Sequence, residues 1–337
     1  MGAKKTILVT GGAGYVGGIL IPKLLNADYA VRVFDRYIYG KQVFDGIRPN
    51  ESLTEIEGDI RDLDLVGDAV KGCDAVIHLA CISNDPSADL DPALTKSINL
   101  DCFPGMAKAC KSAKVPRFIF ASSSSVYGIS DAPQVREDHD RIPVTDYNRY
   151  KASCEDILAD EAKDGFGYVS IRPATVCGYS PRLRLDLSVN VLTTHAVVNN
   201  KITVFGGTQY RPNLHIQDMT DLYLQLLEEP DERVADKIFN AGYQNMQMMD
   251  IAKRVKSVVG QHKSDNEIEI ITTPTDDIRS YRINCDKIEQ ELGFVPKHSI
   301  ENAVEELCAA FSSGMIPDPM TSSAYVNIKR MQEIGMV

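Results

Sequence analysis

The sequence predicts an α/β protein of the Rossmann type, in which a doubly wound parallel sheet carries a smaller C-terminal lobe. Apolar runs rich in β-branched residues alternate with segments of helical length, at 6–10, 29–35, 53–59, 74–80, 117–123 and 167–173. Nearly continuous apolar strands that are spaced by helices are typical of parallel sheets covered on both faces. A glycine-rich turn, TGGAGYVGG, directly follows the first of these strands.

The spacing of that turn is Gly11-x-x-Gly14-x-x-Gly17. Gly11 permits a tight turn, Gly14 lets the backbone approach a pyrophosphate, and Gly17 lets a predicted helix over 14–26 pack against the strand. The N-terminus of this helix adds a partial positive charge. The turn therefore predicts a binding site for the pyrophosphate of a nicotinamide dinucleotide.

The end of the second strand indicates which dinucleotide is bound. Asp35 lies 18 residues after Gly17, where a carboxylate accepts hydrogen bonds from both ribose hydroxyls and repels a 2′-phosphate. NAD is therefore favoured over NADP. Arg36 follows directly, and because an arginine there can accommodate the 2′-phosphate, NADP stays open as the alternative.

The composition limits the partners and the location of the protein. The chain has 337 residues, 44% of them hydrophobic, and a net charge of −11, which repels polyanions and argues against nucleic acid. No apolar stretch approaches the roughly 20 residues of a membrane span, and the first ten residues hold too short an apolar run for a signal peptide, so a cytoplasmic protein is expected. The eight cysteines form no C-x-x-C pair or Cys/His cluster, and no disulfide or metal site is predicted.

The alternation of strands and helices weakens after about residue 175. We predict an NAD-binding domain over 1–175, with core segments continuing near 203–243, and a mainly substrate-binding lobe over 176–337. Ligands of open α/β sheets bind at the carboxyl ends of the strands, where such a lobe would lie. The segment from Met315 onward has weak periodicity and is expected to be in part a surface arm.

A second motif carries groups for proton transfer. In DYNRYKASCEDIL, Tyr147 and Lys151 are four residues apart and share one face of a predicted helix. An ammonium and the positive nicotinamide ring both favour the phenolate, so Tyr147 can accept a proton near neutral pH. Upstream, the strand RFIFASSSSVYG ends in the hydroxyls 122–125, one of which would complete a serine, tyrosine and lysine relay at the reacting oxygen.

Together these motifs resemble the extended short-chain dehydrogenase/reductases of the nucleotide-sugar epimerase/dehydratase family, from Thr6 to about Val304. The segments in family order are TGGAGYVG, GDIRD (58–62), HLA (78–80), SINLD, SSSSVYG (122–128), the Tyr147/Lys151 pair, IRPATVCG (171–178), RPNLHIQDM (211–219) and LGFVP (292–296). The resemblance implies an enzyme that binds NAD and a nucleotide-sugar substrate. Helices around 147–162 and 94–113 resemble those through which the family forms homodimers.

The resemblance also implies roles for individual residues. Ser123, Tyr147 and Lys151 match the catalytic hydroxyl, the base and its partner. The implied cofactor-binding residues are Gly11, Gly14, Tyr15, Val16, Gly17, Asp35, Arg36, Asp59, Ile60, Leu79, Ala80, Asn99, Tyr147, Lys151 and Pro173. The implied substrate-binding residues are Ser83, Asn84, Ser124, Ser125, Thr175, Arg182, Arg184, Arg211 and Arg279. Arg211 matches an arginine that contacts the diphosphate of the sugar nucleotide.

Departures from the family pattern narrow the reaction. Dehydratases of the family place an Asp-Glu pair after the catalytic hydroxyl, and this chain has Ser124 and Ser125 there. Serines cannot serve as a carboxylic acid or carboxylate base, so 4,6-dehydration is disfavoured. The serine-rich strand resembles that of the 4-epimerases, in which Tyr147 would take the C4 hydroxyl proton while hydride passes to NAD. The keto-sugar would then turn over and be reduced on its other face.

Other departures leave alternatives open. Thr175 stands where epimerases commonly have asparagine, and Pro274 replaces a second diphosphate-binding arginine. A one-way nucleotide-sugar 4-dehydrogenase or ketoreductase is therefore an alternative, since the same relay supports it. A non-catalytic NAD-binding sensor is a weaker alternative, because such a protein is expected to have lost the Tyr147/Lys151 pair.

Overall fold

The computed structural model describes residues 4–130, 132–163, 165–263, 267–275 and 279–336. The strands are β1 Thr6–Thr10, β2 Ala30–Asp35, β3 Leu53–Glu57, β4 Ala75–His78, β5 Phe118–Ala121, β6 Tyr168–Pro173, β7 Thr175–Cys177, β8 Lys201–Phe205, β9 Tyr210–His215, β10 Lys237–Ala241, β11 Gln244–Gln247 and β12 Glu269–Thr273. The helices are α1 Gly17–Asn26, α2 Leu63–Val70, α3 Asp85–Ala88, α4 Pro92–Lys96, α5 Phe103–Ser112, α6 Asp146–Ala162, α7 Ser188–Asn199, α8 Ile216–Glu228, α9 Asp231–Val234, α10 Met248–Gln261, α11 Asp286–Leu292, α12 Ile300–Ser312 and α13 Asn327–Glu333. Over the described ranges, no helix combines the length and the apolar character that crossing a bilayer requires.

Seven parallel strands form the central sheet, in the order β10-β6-β5-β4-β1-β2-β3. This arrangement confirms the predicted doubly wound parallel sheet. The chain runs outward from β1 toward β3 and then crosses back to β4 on the other side of β1. Such a reversal leaves a crevice at the carboxyl ends of β1 and β4, where ligands of open α/β sheets bind.

Both faces of the sheet are buried, which explains the continuous apolar runs in its strands. In β1, Ile7 and Val9 point into one core together with residues of α1 and α8, and Leu8 points into the opposite core with residues of α2, α5 and α6. All three side chains are at most 1% exposed. The sheet is therefore a rigid base for the loops at its carboxyl edge.

The later part of the chain forms two small sheets beside that edge. One has the order β11-β9-β7, and in the other β8 runs parallel to β12. Helices α7, α10 and α12 pack with β8 around a third core that is separate from the cores of the central sheet. β10 instead returns to the central sheet and pairs with β6.

The expectation of a surface arm after Met315 is wrong for α13. Asn327 and Met331 are 3% and 2% exposed, and Nε of Arg330 donates a hydrogen bond of 2.6 Å to the carbonyl of Ile38. Just before the helix, the carbonyl of Tyr325 accepts from the backbone of Leu185. The helix has only seven residues and places the side chain of Met331 in a hydrophobic core, and so short an element shows only weak hydrophobic periodicity.

Candidate active site

A cavity of about 640 Å³ opens at the carboxyl edge of the sheet, between the sheet and the later part of the chain. Every predicted site residue except Asn99 lines it. The cavity therefore brings together the glycine turn, the serine cluster, the tyrosine–lysine pair and the candidate arginines. In the chain these segments extend from Gly11 to Arg279.

The glycine turn has the backbone geometry that its sequence predicts. Gly11 has a φ of +70°, and a Cβ there would lie 2.7 Å from Cα of Ala80. A Cβ on Gly17 would lie 2.0 Å from the carbonyl oxygen of Gly12. The helical hydrogen bonds begin at Gly14, whose carbonyl accepts from Gly18 at 2.9 Å. The turn thus leaves its backbone open to the cavity beside a helix N-terminus, and this cradle fits a pyrophosphate.

Asp35 lies next to this cradle at the end of β2. Its Oδ2 accepts a hydrogen bond of 2.9 Å from the backbone of Ala13, and its Oδ1 accepts one of 2.8 Å from the backbone of Tyr37. Burial raises the pKa of the Asp35 carboxyl above its ordinary value, while these two bonds act in the opposite direction. The carboxylate is fixed in position, and each of its oxygens keeps a further lone pair that can accept from a ribose hydroxyl.

Arg36, which left NADP open, is paired with a neighbouring carboxylate at the rim of the cavity. One of its guanidinium nitrogens lies 3.3 Å from Oδ2 of Asp59. Arg61 binds the same carboxylate at 2.7 Å, and this bond lowers the pKa of Asp59. The positive charge of Arg36 is thus partly balanced by a carboxylate, an arrangement that suits a cofactor without a 2′-phosphate.

Helix α6, which carries Tyr147 and Lys151, begins beside the serine cluster. Thr145 is its N-cap, and Tyr147 and Lys151 both line the cavity one turn apart. Nζ of Lys151 donates a hydrogen bond of 2.6 Å to the carbonyl of Ala121 and lies 5.9 Å from the centre of the Tyr147 ring. The lysine is therefore hydrogen-bonded to the end of β5 and lies beside the tyrosine ring, and the relay stays a prediction.

The pKa of Tyr147 is raised well above its ordinary value. Burial is the main cause of the rise. The electrostatic effects of Cys81 and Asp85 also raise this pKa, and the charge of Arg184 lowers it. The expectation that the neighbouring ammonium makes Tyr147 a phenolate is therefore outweighed in the protein alone. The oxidised nicotinamide ring of NAD carries a positive charge, which acts in the direction of the phenolate.

The hydroxyls of the four serines after β5 each have a different hydrogen-bond partner. Their partners are Glu155 for Ser122, Ser125 for Ser123, Tyr281 for Ser124 and Asn148 for Ser125. The hydroxyls of Ser123 and Ser125 are 2.6 Å apart, and Ser123, Ser124 and Ser125 all line the cavity. The Ser123 hydroxyl, which the resemblance predicts to be catalytic, is therefore one member of a connected hydroxyl chain.

Glu155 is a residue that the sequence analysis missed. It is 1% exposed and accepts from Ser122, from Nε and Nη2 of Arg172 at 2.9 and 2.7 Å, and from Arg141. These bonds connect α6 to the ends of β5 and β6. A carboxylate four residues after Lys151, on the same helix face, was the sequence signal that could have revealed it.

Arg211 and Arg279, the candidates for the substrate diphosphate, lie side by side. Nη1 of Arg211 donates to the carbonyl of Arg279, and the Arg279 guanidinium donates to Asp85. The Asp85 carboxylate also accepts from the hydroxyl of Thr145, the N-cap of the catalytic helix. This end of the cavity thus brings two guanidinium groups next to the segment that carries Tyr147.

Arg182 and Arg184 are held more tightly by the protein than the resemblance implies. Arg184 donates to Asp186 at 2.8 Å and to Ser83 at 3.1 Å, and Asn84 donates to the same aspartate. The guanidinium of Arg182 stacks on Tyr39 at 3.5 Å from the ring centre. Both arginines therefore occupy the part of the wall between the cofactor cradle and Tyr147.

The C-terminal helix reaches the same place. Oδ1 of Asn327 accepts from Nη2 of Arg182, and Nδ2 of Asn327 donates to the hydroxyl and carbonyl of Ser83. Nε and Nη1 of Arg182 are buried without a hydrogen-bond partner, and burial lowers the pKa of Arg182 to about 10. No sequence pattern points to Asn327, because its contacts depend on how the last helix folds back onto the cavity wall.

Asn99 does not occupy its predicted position. Its side chain accepts a hydrogen bond of 2.8 Å from the backbone N–H of Ile82 and donates one of 2.9 Å to the Ile82 carbonyl. Both amide atoms are thereby used on the loop that follows β4. Asn99 fixes this loop from behind the cavity wall, whereas direct contact with the cofactor was predicted.

The chain is similar to known proteins over nearly its whole length. The family model "NAD dependent epimerase/dehydratase family" matches residues 7–242. UDP-glucose 4-epimerase of Lactobacillus helveticus is 26% identical over 333 residues, which cover 90% of this chain and 96% of that protein. The structure of UDP-glucose 4-epimerase from Thermotoga maritima with UDP-glucose matches with a TM-score of 0.81 at 24% identity, covering 92% of this chain and 99% of that one. UDP-glucuronic acid 4-epimerase from Bacillus cereus, in complex with UDP-glucuronic acid and NAD, matches with a TM-score of 0.78 at 26% identity, covering 91% and 99%.

Proposed function

Because the chain belongs to the NAD-dependent epimerase/dehydratase family, we propose that it is a nucleotide-sugar 4-epimerase whose NAD stays bound through the reaction. The membership confirms the resemblance predicted from the sequence, and with it an enzyme that depends on NAD. The choice among the reactions of this family rests on the residues of the cavity wall.

The observation that carries the proposal is the pair of hydroxyls at Ser124 and Ser125, where the sequence comparison expects the acid and base of a dehydratase. Water elimination needs a carboxylic acid and a carboxylate at those places, and a hydroxyl with an ordinary alcohol pKa replaces neither. Asp85 and Asp186 also line the cavity, but each accepts hydrogen bonds from an arginine. Burial acts to raise the pKa of Asp186, but the pairing with Arg184 outweighs it and lowers that pKa below its ordinary value, which makes Asp186 a poor acid.

The remaining groups support oxidation and reduction at a sugar carbon. Bound NAD supplies the acceptor and donor of hydride at C4. Tyr147 takes the hydroxyl proton in the first half of the reaction and returns it in the second, and Ser123 binds the same oxygen. Arg211 and Arg279 hold the diphosphate, so that the keto-sugar can turn over without leaving the cavity.

A one-way 4-dehydrogenase or ketoreductase is the second candidate. It is favoured by Thr175, which lines the cavity where epimerases commonly have asparagine, and by Pro274 in place of a second arginine. Both departures concern how the nucleotide and sugar are held. The proton relay is the same in the two reactions, so product analysis has to distinguish them.

The test is to incubate the purified protein with UDP-, GDP-, CDP- and dTDP-sugars while absorbance at 340 nm is followed. A 4-epimer formed without net NADH supports the proposal. Stoichiometric NADH would establish the dehydrogenase instead, and loss of water would contradict the argument from Ser124 and Ser125.

Tyr147→Phe tests the assigned base. We expect turnover to fall by about 10²-fold or more, the range for loss of a general base, while NAD affinity stays within a few-fold. Tyr150→Phe is the matched control, because this tyrosine lies on the same helix outside the cavity wall. Turnover retained in Tyr147→Phe would remove Tyr147 from its role.

We also propose a homodimer formed through α5 and α6, as the family resemblance implies. The two helices lie side by side, and Lys111 of α5 binds Glu161 of α6 at 3.0 Å, so they offer one continuous two-helix surface. Light scattering should give twice the chain mass of 37.2 kDa. A monomer at micromolar concentration would contradict this assembly.

A further inference from the structure

A fully buried amide lies behind the catalytic hydroxyl. Asn148 follows Tyr147 on α6, is 0% exposed and does not line the cavity. Its Oδ1 accepts a hydrogen bond from the hydroxyl of Ser125. Its Nδ2 is buried without a hydrogen-bond partner. A buried amide N–H that makes no bond is costly, and this one lies at the end of the chain that leads to Ser123.

The hydrogens of this chain can be counted. A serine hydroxyl has one hydrogen to donate, and that of Ser125 is used on Asn148. The bond of 2.6 Å between Ser123 and Ser125 is therefore made with the hydrogen of Ser123. The backbone N–H of Ser125 also donates to Oγ of Ser123, at 3.2 Å. In this arrangement Ser123 has no hydrogen left for a sugar oxygen.

Rotating the Asn148 amide by half a turn reverses the direction of every bond in the chain. Nδ2 then donates to Ser125, the Ser125 hydroxyl donates to Ser123, and the hydrogen of Ser123 is free to point into the cavity. Each orientation makes one bond to Ser125, and in each the chain from Asn148 through Ser125 to Ser123 keeps two side-chain hydrogen bonds. The two orientations thus have equal numbers of hydrogen bonds, and the oxygen and nitrogen ends of an amide occupy nearly the same space.

We propose that Asn148 and Ser125 are positioning residues that set the direction in which Ser123 donates, and that the reacting enzyme holds Nδ2 of Asn148 toward Ser125. Only in that orientation does Ser123 donate a hydrogen bond to the oxygen at C4, which gains carbonyl character as hydride leaves. The inference rests on the proposed hydride transfer at this site, and it applies equally to an epimerase and to a one-way dehydrogenase.

Asn148→Asp, assayed at alkaline pH so that the buried carboxyl is ionised, tests the direction, because a carboxylate accepts hydrogen bonds and donates none. Ser125 must then donate to Asp, and Ser123 must donate to Ser125. We expect kcat to fall by about 10²-fold, as for loss of one donor to a developing oxyanion, with little change in KM because the bond is made mainly in the transition state. Circular dichroism and NAD affinity, measured on the same sample, report whether the fold and the cofactor site are kept.

The decisive variant is Asn148→Asp combined with Ser125→Ala. Removal of the Ser125 hydroxyl releases the hydrogen of Ser123, so kcat should recover by about tenfold or more from the single Asp variant, approaching that of Ser125→Ala alone. A merely structural role of Asn148 predicts that the second substitution adds to the damage. Both proteins contain the Asp side chain, so its presence alone does not explain a recovery. A double variant no faster than Asn148→Asp would overturn the proposal.

Asn148→Leu gives an independent answer if the Asp variant fails to fold. Leucine has a similar size and neither accepts nor donates, so Ser125 is free to donate to Ser123. We expect a loss of kcat of about tenfold at most, and a loss of 10²-fold or more would overturn the proposal. All variants are scored on any hydride transfer, either epimer formation or NADH release. If the epimerase proposal fails, the wild-type protein will form a different product. If this inference fails, the kcat values of the variants will not follow the expected order.

Discussion

Nη2 of Arg172 lies 2.7 Å from Oε2 of Glu155, and the two side chains are 3% and 1% exposed. This ion pair joins β6 to the helix that carries Tyr147 and Lys151, and Ser122 donates to the same carboxylate at 2.5 Å. Three elements of the active site are thus fixed to one another by one buried group. Charged groups taken out of water are costly unless they are paired in this way.

Glu155→Gln should reduce the stability of the whole protein. Breaking a buried ion pair leaves the Arg172 charge without its partner, and we expect the free energy of unfolding to fall by about 3–5 kcal/mol. Asp160→Asn on the same helix is the control, since its partner Lys163 is exposed and surface pairs contribute little. Urea denaturation measures both. Equal stability of the two variants would show that the buried pair is not important.

Asp35→Asn should weaken the binding of NAD and reduce the preference of the protein for NAD over NADP. Both carboxylate oxygens accept hydrogen bonds from backbone N–H groups. In the asparagine variant the side-chain NH₂ group faces one of these N–H donors and cannot accept its hydrogen bond. The ribose hydroxyls also lose a charged acceptor. We expect the Kd for NAD to rise by about tenfold or more, as for loss of a hydrogen bond to a charged group. Titration calorimetry with NAD and NADP measures the preference, and the exposed Asp64→Asn is the control. Wild-type protein that binds NADP more tightly would contradict this account.

Asn327→Ala should loosen the cofactor site from the far end of the chain. It removes the acceptor of Nη2 of Arg182, whose other nitrogens are already buried without partners. We expect the Kd for NAD to rise by about tenfold, since hydrogen bonds to charged groups contribute about 1.5–3 kcal/mol. Lys329→Ala, on the exposed side of the same helix, should leave the Kd unchanged. An unchanged Kd in Asn327→Ala would show that α13 does not support the site.

His78 should make stability depend on pH. It is buried in β4, and its Nδ1 lies within hydrogen-bond distance of the Thr10 hydroxyl, at 2.8 Å. Burial, and to a lesser extent the charge of Lys151, lowers its pKa from about 6.5 to about 3. Between these values the unfolded chain binds a proton that the folded protein does not, so the free energy of unfolding falls as pH falls. The contribution is about 1.4 kcal/mol per pH unit.

His78→Gln should remove that contribution, because glutamine can still bond to Thr10 but does not titrate. Unfolding followed between about pH 4 and pH 6 should show a slope smaller than that of the wild type by about 1.4 kcal/mol per pH unit. Above pH 7 histidine is neutral in both states, and the two slopes should coincide. Identical slopes at acid pH would contradict the low pKa of His78.

Local sequence predicted those parts of the site that backbone geometry and residue spacing determine. The steric limits at Gly11 and Gly17 allow only glycine there, and the spacing of Tyr147 and Lys151 puts them on one helix face wherever the helix lies. Arg182, Arg184 and Asn99 were assigned to ligands by resemblance, and the structure gives all three partners within the protein. Position in a motif does not reveal such partners, because they come from other parts of the chain.

The sequence by itself determined the parallel sheet, the dinucleotide turn and the types of group available for proton transfer, since these follow from hydrophobic periodicity and local sterics. Tertiary structure alone decided that Glu155 fixes the catalytic helix, that Asn327 returns to hold Arg182, and that Ser123 is bonded through Ser125 to a buried amide. Each of these contacts joins residues of separate elements, and burial determines its strength. The ionisation of Tyr147 also belongs here, because its pKa depends on how much water the folded cavity excludes.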